Sequence, residues 1–219
     1  MMNRITNKEG KMKFYSQFGQ DQWLYNNHFK NQKDGTFLEI GADDGVDKSN
    51  SMFFEESLGW NGICIEPSPP RFKLLSKNRN CICENCAISN EEGEVEFMDI
   101  QGYGKGLSGI IDKYSEQHKR RIETEIRHPE NKGREIIIVK TDLLSNILDR
   151  HGIYEIDFCT IDTEGGEMEI VQSIDLNKYK IKIILVENNY KQTNIQSYLA
   201  SCGYQHVHKL EIDDAFLKI

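Results

Sequence analysis

The stretch Phe37-Leu38-Glu39-Ile40-Gly41-Ala42-Asp43-Asp44-Gly45 decides how the rest of the chain is read. It is an apolar strand running into a turn of small residues, with a helical stretch opening at Ser49-Asn50. Gly41 and Gly45 permit positive φ and let a ligand come close to the main chain. Twenty-one residues beyond Gly45, Glu66 ends the next apolar strand, Ile63-Cys64-Ile65-Glu66-Pro67. An acid there accepts the hydroxyls of a ribose lying across the adjoining strand ends, so the pair reads as a nucleoside site. The turn lacks the G-x-G-x-x-G spacing, and the chain has no G-x4-G-K-[ST] phosphate loop. Glu39, Asp43, Asp44 and Asp47 crowd the turn instead, which suits a cation. S-adenosylmethionine, a nucleoside carrying a sulfonium and an ammonium, fits better than NAD or ATP. The bland alternative is a solvated acidic turn joining strand to helix.

Working outward, strands and helices alternate: residues 36–40, 50–58, 62–66, a helix after Ser68 with prolines in its first turn, and apolar runs at 81–88, 94–98, 136–139, 157–161 and 181–187. This order predicts a parallel sheet with crossover helices. Residues 204–207 and 215–217 predict a terminal antiparallel pair. Residues 1–12 read as a loose tail and 14–29 as an aromatic amphipathic stretch, with Phe18, Trp23, Leu24 and Phe29 able to share a helical face, within a cap segment, 13–34. Residues 13–219 then form a single domain. About 101–135 reads as an insertion on the substrate side. Within it, residues 113–135 hold seven basic and five acidic side chains.

The 219 residues carry Lys+Arg 27 against Asp+Glu 35, a net charge of −8, which disfavours a nucleic-acid partner. No apolar run approaches the roughly 20 residues that span a bilayer, and the polar opening has no apolar segment behind it. The expectation is a cytoplasmic protein without stable membrane insertion, acting on a small molecule; a homodimer is compatible with this. Six cysteines are too few for a disulfide scaffold at this length and read as reduced and mostly buried.

The chain resembles the FkbM-type S-adenosylmethionine-dependent methyltransferases. The resemblance is carried by Ser16-Gln17-Phe18-Gly19-Gln20-Asp21, the Phe37–Gly45 stretch, Ser49-Asn50, and Gly59-Trp60-Asn61-Gly62-Ile63-Cys64-Ile65-Glu66-Pro67. It continues in Asn85-Cys86-Ala87-Ile88-Ser89 and Ile161-Asp162-Thr163-Glu164-Gly165-Gly166-Glu167. It implies an α/β, Rossmann-like class I methyltransferase with a seven-stranded mixed sheet, mostly parallel, and an antiparallel strand near the C-terminus. It further implies Gly41 and Asp43 along the methionine of the cofactor, Glu66 on the ribose and Ala87 beside the adenine. Gln17, Gln20 and Asp21 would close over it. Glu39, Asp44, Ser49, Asn50, Pro67 and Asp162 complete the cofactor-facing set.

Asp162 and Glu187-Asn188 each follow an apolar strand, and parallel strands bring such ends to one edge. Methyl transfer to an alcohol needs help, because an unactivated hydroxyl is a poor nucleophile near neutral pH. A carboxylate base or a divalent ion that polarises the hydroxyl both supply it. Asp162, Glu187 and Asn188 are hard ligands of the kind Mg2+ or Mn2+ accepts. Three readings stay open: helix capping and ion pairing, a metal site, or metal-free acid/base work by Asp162, Glu164 and Glu187, with Glu167 next in line.

Cys81, Cys83 and Cys86 do not converge on a metal, since strand alternation sends Cys86 to the other face. His118 and His128 read as solvated on a helix, with a base reaching into the substrate site as the alternative, and Lys119, Arg120, Arg121, Arg127 and Arg134 as an exposed charged face or a phosphate-binding patch. The expectation is an O-methyltransferase for a sugar, nucleotide sugar or glycan precursor. The rivals are an N- or carboxyl-methyltransferase and a non-catalytic Rossmann-like module.

Overall fold

Phe37, Leu38, Glu39 and Ile40 are all buried, as a strand covered on both faces requires. The computed structural model describes residues 12–219, so the expected tail at 1–12 lies outside the described residues apart from Met12. In chain order the elements are α1 (Gln20–Asn27), β1 (Thr36–Ile40), α2 (Met52–Leu58), β2 (Asn61–Ile65), α3 (Pro69–Asn78), β3 (Ile82–Glu84), β4 (Ala87–Ile88), β5 (Gly93–Gly102) and β6 (Gly109–Ile110). They continue as α4 (Glu116–Glu125), β7 (Asn131–Asp142), α5 (Leu144–His151), β8 (Glu155–Ile161), α6 (Glu167–Ser173), β9 (Lys180–Glu187), α7 (Asn194–Ser201), β10 (Tyr204–Leu210) and β11 (Asp213–Lys218).

The main sheet has seven strands in the order β10-β11-β9-β8-β1-β2-β3. Strands β9, β8, β1, β2 and β3 run parallel, and β11 is antiparallel to both its neighbours, as expected for a Rossmann-like class I sheet. Alternation splits the core in two. Leu38, Ile63, Cys159 and Ile184 face α5, α6 and α7, packing on Ile147, Val171 and Leu199. Phe37, Cys64, Phe158 and Ile183 face α1, α2 and α3, packing on Leu24, Phe54 and Leu75. Pro69 and Pro70 start α3, where their missing N–H groups cost no hydrogen bond.

Three expectations need correction. The run at 81–88 is two strands, β3 in the main sheet and β4 in a second one. The runs at 94–98 and 136–139 do not continue the main sheet. They lie in β5 and β7, which pair antiparallel in a four-stranded sheet ordered β4-β7-β5-β6. Its inner face carries Val95, Phe97, Ile137 and Val139, while Ile136 and Ile138 are exposed. Only Glu116–Glu125 of the charged stretch is an α-helix, and residues from Asn131 onward already belong to β7.

The N-terminal segment is tied down by Asp21, which is fully buried. Its carboxylate accepts the Tyr15 N–H at 2.6 Å and the Ser16 N–H at 3.3 Å. Ser16 also bridges to Lys48 beside the glycine turn. Hydrogen bonds to a charged acceptor contribute more than neutral ones, so Asp21→Ala is expected to cost about 2 kcal/mol in urea unfolding. An unchanged midpoint would show that this anchor does not hold the segment.

Candidate active site

Strand order reverses between β1 and β8, and a crevice opens beyond the carboxyl ends of the strands at that point, as doubly wound sheets predict. Its volume is about 370 Å³, within the roughly 300–1,000 Å³ range of small-molecule sites. Ile40 leads into Gly41, whose φ is 87°. A Cβ there would lie 1.8 Å from the main-chain oxygen of Asp162, so only glycine lets the two strand ends meet. Asp162 in turn donates its N–H to Ile40 O at 3.1 Å.

On the β2 side, Glu66 is 3% exposed. It accepts the Asp43 N–H at 2.9 Å and the Ser68 N–H at 2.8 Å, leaving lone pairs free for a ligand. Burial pushes its pKa up to about 7 against the opposing charge of Arg71. Glu39 anchors the turn from below. It takes hydrogen bonds from Ser49 Oγ at 2.9 Å and Asn50 N at 2.7 Å, and Arg79 Nη1 lies 3.5 Å away. Arg71 from α3 and Lys105 from the Tyr103–Leu107 turn both reach Asp43, at 3.6 and 2.6 Å. Asn50 Oδ1 and Thr160 Oγ1 are buried polar atoms without a hydrogen-bond partner, and both residues line the crevice.

On the β8 and β9 side, Asp162, Glu164 and Glu187 converge, one oxygen of each lying within 4.8 Å of the others. Asp162 is exposed to the crevice, and partial desolvation there, with the charge of Asp213 nearby, pushes it up to about 7. Burial and then the charge of Asp162 raise Glu164 and Glu187 well above the ordinary carboxylate range. Burial also raises Asp213 to about 6, although Gln20 Nε2 donates to it. Asn189 Nδ2 donates to Glu187 at 2.7 Å.

A family model described as the methyltransferase FkbM domain matches residues 39–206, most of the chain. The chain belongs to the FkbM methyltransferase domain family. No curated protein matches it significantly. Among solved structures it is similar to the N-terminal domain of human METTL16, at 13% identity, TM-score 0.48, and coverage of 91% of this chain and 66% of that one. It is also similar to the FkbM methyltransferase of Methylobacillus flagellatus KT, at 12% identity, TM-score 0.48, and coverage of 84% and 43%. A third is Aeropyrum pernix fibrillarin with natively bound S-adenosyl-L-methionine, at 10% identity, TM-score 0.46, and coverage of 92% and 73%. The chain thus spans less than two thirds of the first two.

Of the residues expected at the cofactor in this FkbM domain, Gln17, Gln20, Glu39, Gly41, Asp43, Ser49, Asn50, Glu66, Pro67, Ala87 and Asp162 all line the crevice. Asp21 and Asp44 do not. Asp21 holds the N-terminal segment, and Asp44 Oδ1 closes its own turn by accepting the Val46 and Asp47 N–H groups at 2.9 and 2.8 Å. Asn188 also turns aside: its amide donates to Gln192 O at 2.9 Å and Asp214 at 2.7 Å, while its oxygen accepts the Gln192 N–H at 2.7 Å. Glu164 takes its expected place in the carboxylate group.

The structure overturns the solvated reading of His118, which is 1% exposed. Its Nε2 lies 3.1 Å from Leu107 O, which can only accept, so Nε2 carries the proton. Burial lowers its pKa. Nδ1 then presents its lone pair to the Tyr190 hydroxyl at 3.0 Å, with Glu164 at 3.4 Å. The missed signal was the i, i+4 pair His118 and Ile122 on one face of α4, both buried, with the Tyr114 ring just before the helix stacked on His118 at 4.5 Å. Arg71 and Lys105 were missed as well, since nothing local to them marks their reach to Asp43.

Raised carboxylates make stability fall with rising pH. Glu66, Asp162 and Asp213 bind protons more tightly folded than unfolded. Between the ordinary carboxylate range and about pH 7 the folded state therefore holds more protons, and each unit of pH there weakens it. The ligand-free protein should melt at a higher temperature near pH 5 than near pH 8, and Glu187→Gln should flatten the slope. A midpoint that climbs over this window would contradict the buried cluster.

Proposed function

We propose that this FkbM domain transfers the methyl group of S-adenosylmethionine to a hydroxyl of a sugar or sugar-containing small molecule. The carrying observation is the order of groups across the crevice: Glu66 after β2, bare main chain at Gly41 after β1, and the carboxyl groups of Asp162 and Glu187 after β8 and β9. Glu66 would hold the donor's ribose, the bare main chain at Gly41 would face its sulfonium, and the carboxyl groups of Asp162 and Glu187 would lie on the acceptor side of the methyl group. The unpartnered Asn50 Oδ1 is an acceptor for an ammonium, and Thr160 Oγ1 lacks any partner, so both support a polar, cationic guest. In the reaction an acceptor hydroxyl loses its proton to a carboxylate of the cluster while its oxygen attacks the methyl carbon in line. The carbon–sulfur bond breaks and a neutral thioether leaves.

Four of the crevice cations are already paired with carboxylates, which favours a neutral acceptor over a pyrophosphate. Arg71 pairs with Asp99 at 3.0 Å, Lys105 with Asp43, Lys113 with Glu169, and Arg121 with Glu125 at 2.9 Å. The donor set of Asp162, Glu164 and Glu187 fits a hard divalent ion such as Mg2+, which would polarise the acceptor oxygen. Glu164 replaces Asn188 in that set.

Calorimetry with S-adenosylmethionine tests the first half of the reading. The wild type should bind, and Glu66→Ala should bind about 10–100-fold more weakly, the loss of charge-assisted hydrogen bonds to a ribose. Neither heat nor thermal stabilisation with the wild type would favour a non-catalytic module. A panel of neutral sugars and nucleotide sugars, with and without a chelator, tests the acceptor and the ion.

A further inference from the structure

On the face of β2 turned away from α5, α6 and α7, three cysteines meet. Cys64 is buried in β2, and Cys83 is its register partner on β3. Cys81, two residues earlier on the same face, brings its sulfur to 3.7 Å from that of Cys64. Cys86 packs in the other layer, so the alternation expected for residues 81, 83 and 86 holds. The convergence comes instead from the neighbouring strand. Because β3 is the sheet edge, Cys81 and Cys83 are only half-buried, within reach of a small solute.

The surroundings favour one thiolate. The neighbouring Cys64 and Cys83 thiols, together with the buried Arg79 guanidinium, lower the Cys81 pKa well below the usual thiol value. Burial raises Cys64. The result is a partly exposed nucleophile beside a protonated partner thiol, the arrangement that oxidation-sensitive cysteines share. Cys64 Sγ also touches the base of the cofactor turn, 3.8 Å from Glu39 Oε2 and 3.9 Å from Ser51 Oγ.

We propose that Cys81 is a site of covalent modification by hydroperoxides, with Cys64 as its resolving thiol. The Cys81 thiolate attacks one peroxide oxygen, the O–O bond breaks, and a sulfenic acid and hydroxide form. The Cys64 thiol then attacks the sulfenic sulfur, water leaves, and a Cys64–Cys81 disulfide remains. The two thiols lose two electrons in all and the peroxide gains them.

The test treats native wild-type protein with hydrogen peroxide, blocks remaining thiols with iodoacetamide and maps the peptides. The expected product has lost two hydrogens and joins the peptides of Cys64 and Cys81. Cys64→Ser should instead accumulate a dimedone-trappable sulfenic acid at Cys81. Iodoacetamide rates on untreated wild type are the second readout. From about pH 7.5 to about pH 5.5 the rate of a small free thiol such as N-acetylcysteine in the same solution should fall on the order of a hundredfold with its thiolate, while that at Cys81 changes less than about twofold. The proposal fails if Cys81 stays alkylatable after peroxide, if the cross-link joins other cysteines, or if Cys81 follows the pH dependence of the free thiol.

Discussion

Asp162→Ala is expected to lower methyl transfer by about a thousandfold while S-adenosylmethionine still binds. Asp162 stands where β8 ends beside the glycine turn, its carboxyl in the crevice and within 4.8 Å of Glu164 and Glu187 oxygens. A base must be ionised to accept a proton, and the Asp162 carboxyl is raised to about 7. Wild-type turnover should therefore increase with pH up to that value and level off above it. Transfer of labelled methyl to an acceptor found by the sugar panel measures this, with calorimetry on the same variant for the cofactor. Near wild-type turnover would refute the role. If the three carboxylates hold a divalent ion, a chelator should reproduce the loss in the wild type.

Gly41→Ala is expected to cost at least about 4 kcal/mol, lowering the thermal midpoint on the order of 10 °C. The new Cβ would sit 1.8 Å from a main-chain oxygen, and main chain at the centre of a parallel sheet has little room to yield. The residue also has φ 87°. Gly59→Ala isolates the second effect, because Gly59 has φ 73° and a Cβ added there would meet nothing within 4 Å. That control should cost only about 1–2 kcal/mol. Equal losses at the two sites would mean that the β1 and β8 ends do not meet as described.

The parts of the fold that could be read from the chain are those whose signal is local. The run from Phe37 to Ile40 is apolar because both faces are covered, and the acids after β2, β8 and β9 stand at strand ends that parallel pairing must bring together. The second sheet was harder. Glu94-Val95-Glu96-Phe97 alternates as a half-buried antiparallel strand should, but its partner lies some forty residues on, beyond a helix, at Ile137 and Val139. Among the site residues, Asp21, Asp44 and Asn188 have the right chemistry in the right neighbourhood. A carboxylate or amide two to six residues from free N–H groups can equally tie down its own segment, and spacing alone does not say which it does. His118 and the Cys64–Cys81 approach depend on packing between elements, which spacing alone leaves open.

The chain passes into and out of the second sheet at one narrow place. The chain enters it through β4 and leaves it at the end of β7, and these two ends are neighbours, with Ala87 opposite Thr141 and Ile88 opposite Asp142. Everything between them, including the Tyr103–Leu107 turn and α4, is a detour on a single stem. On the proposed reading, a relative's segment could be transplanted at that stem to change which molecule receives the methyl group, provided the replacement keeps a cation where Lys105 meets Asp43.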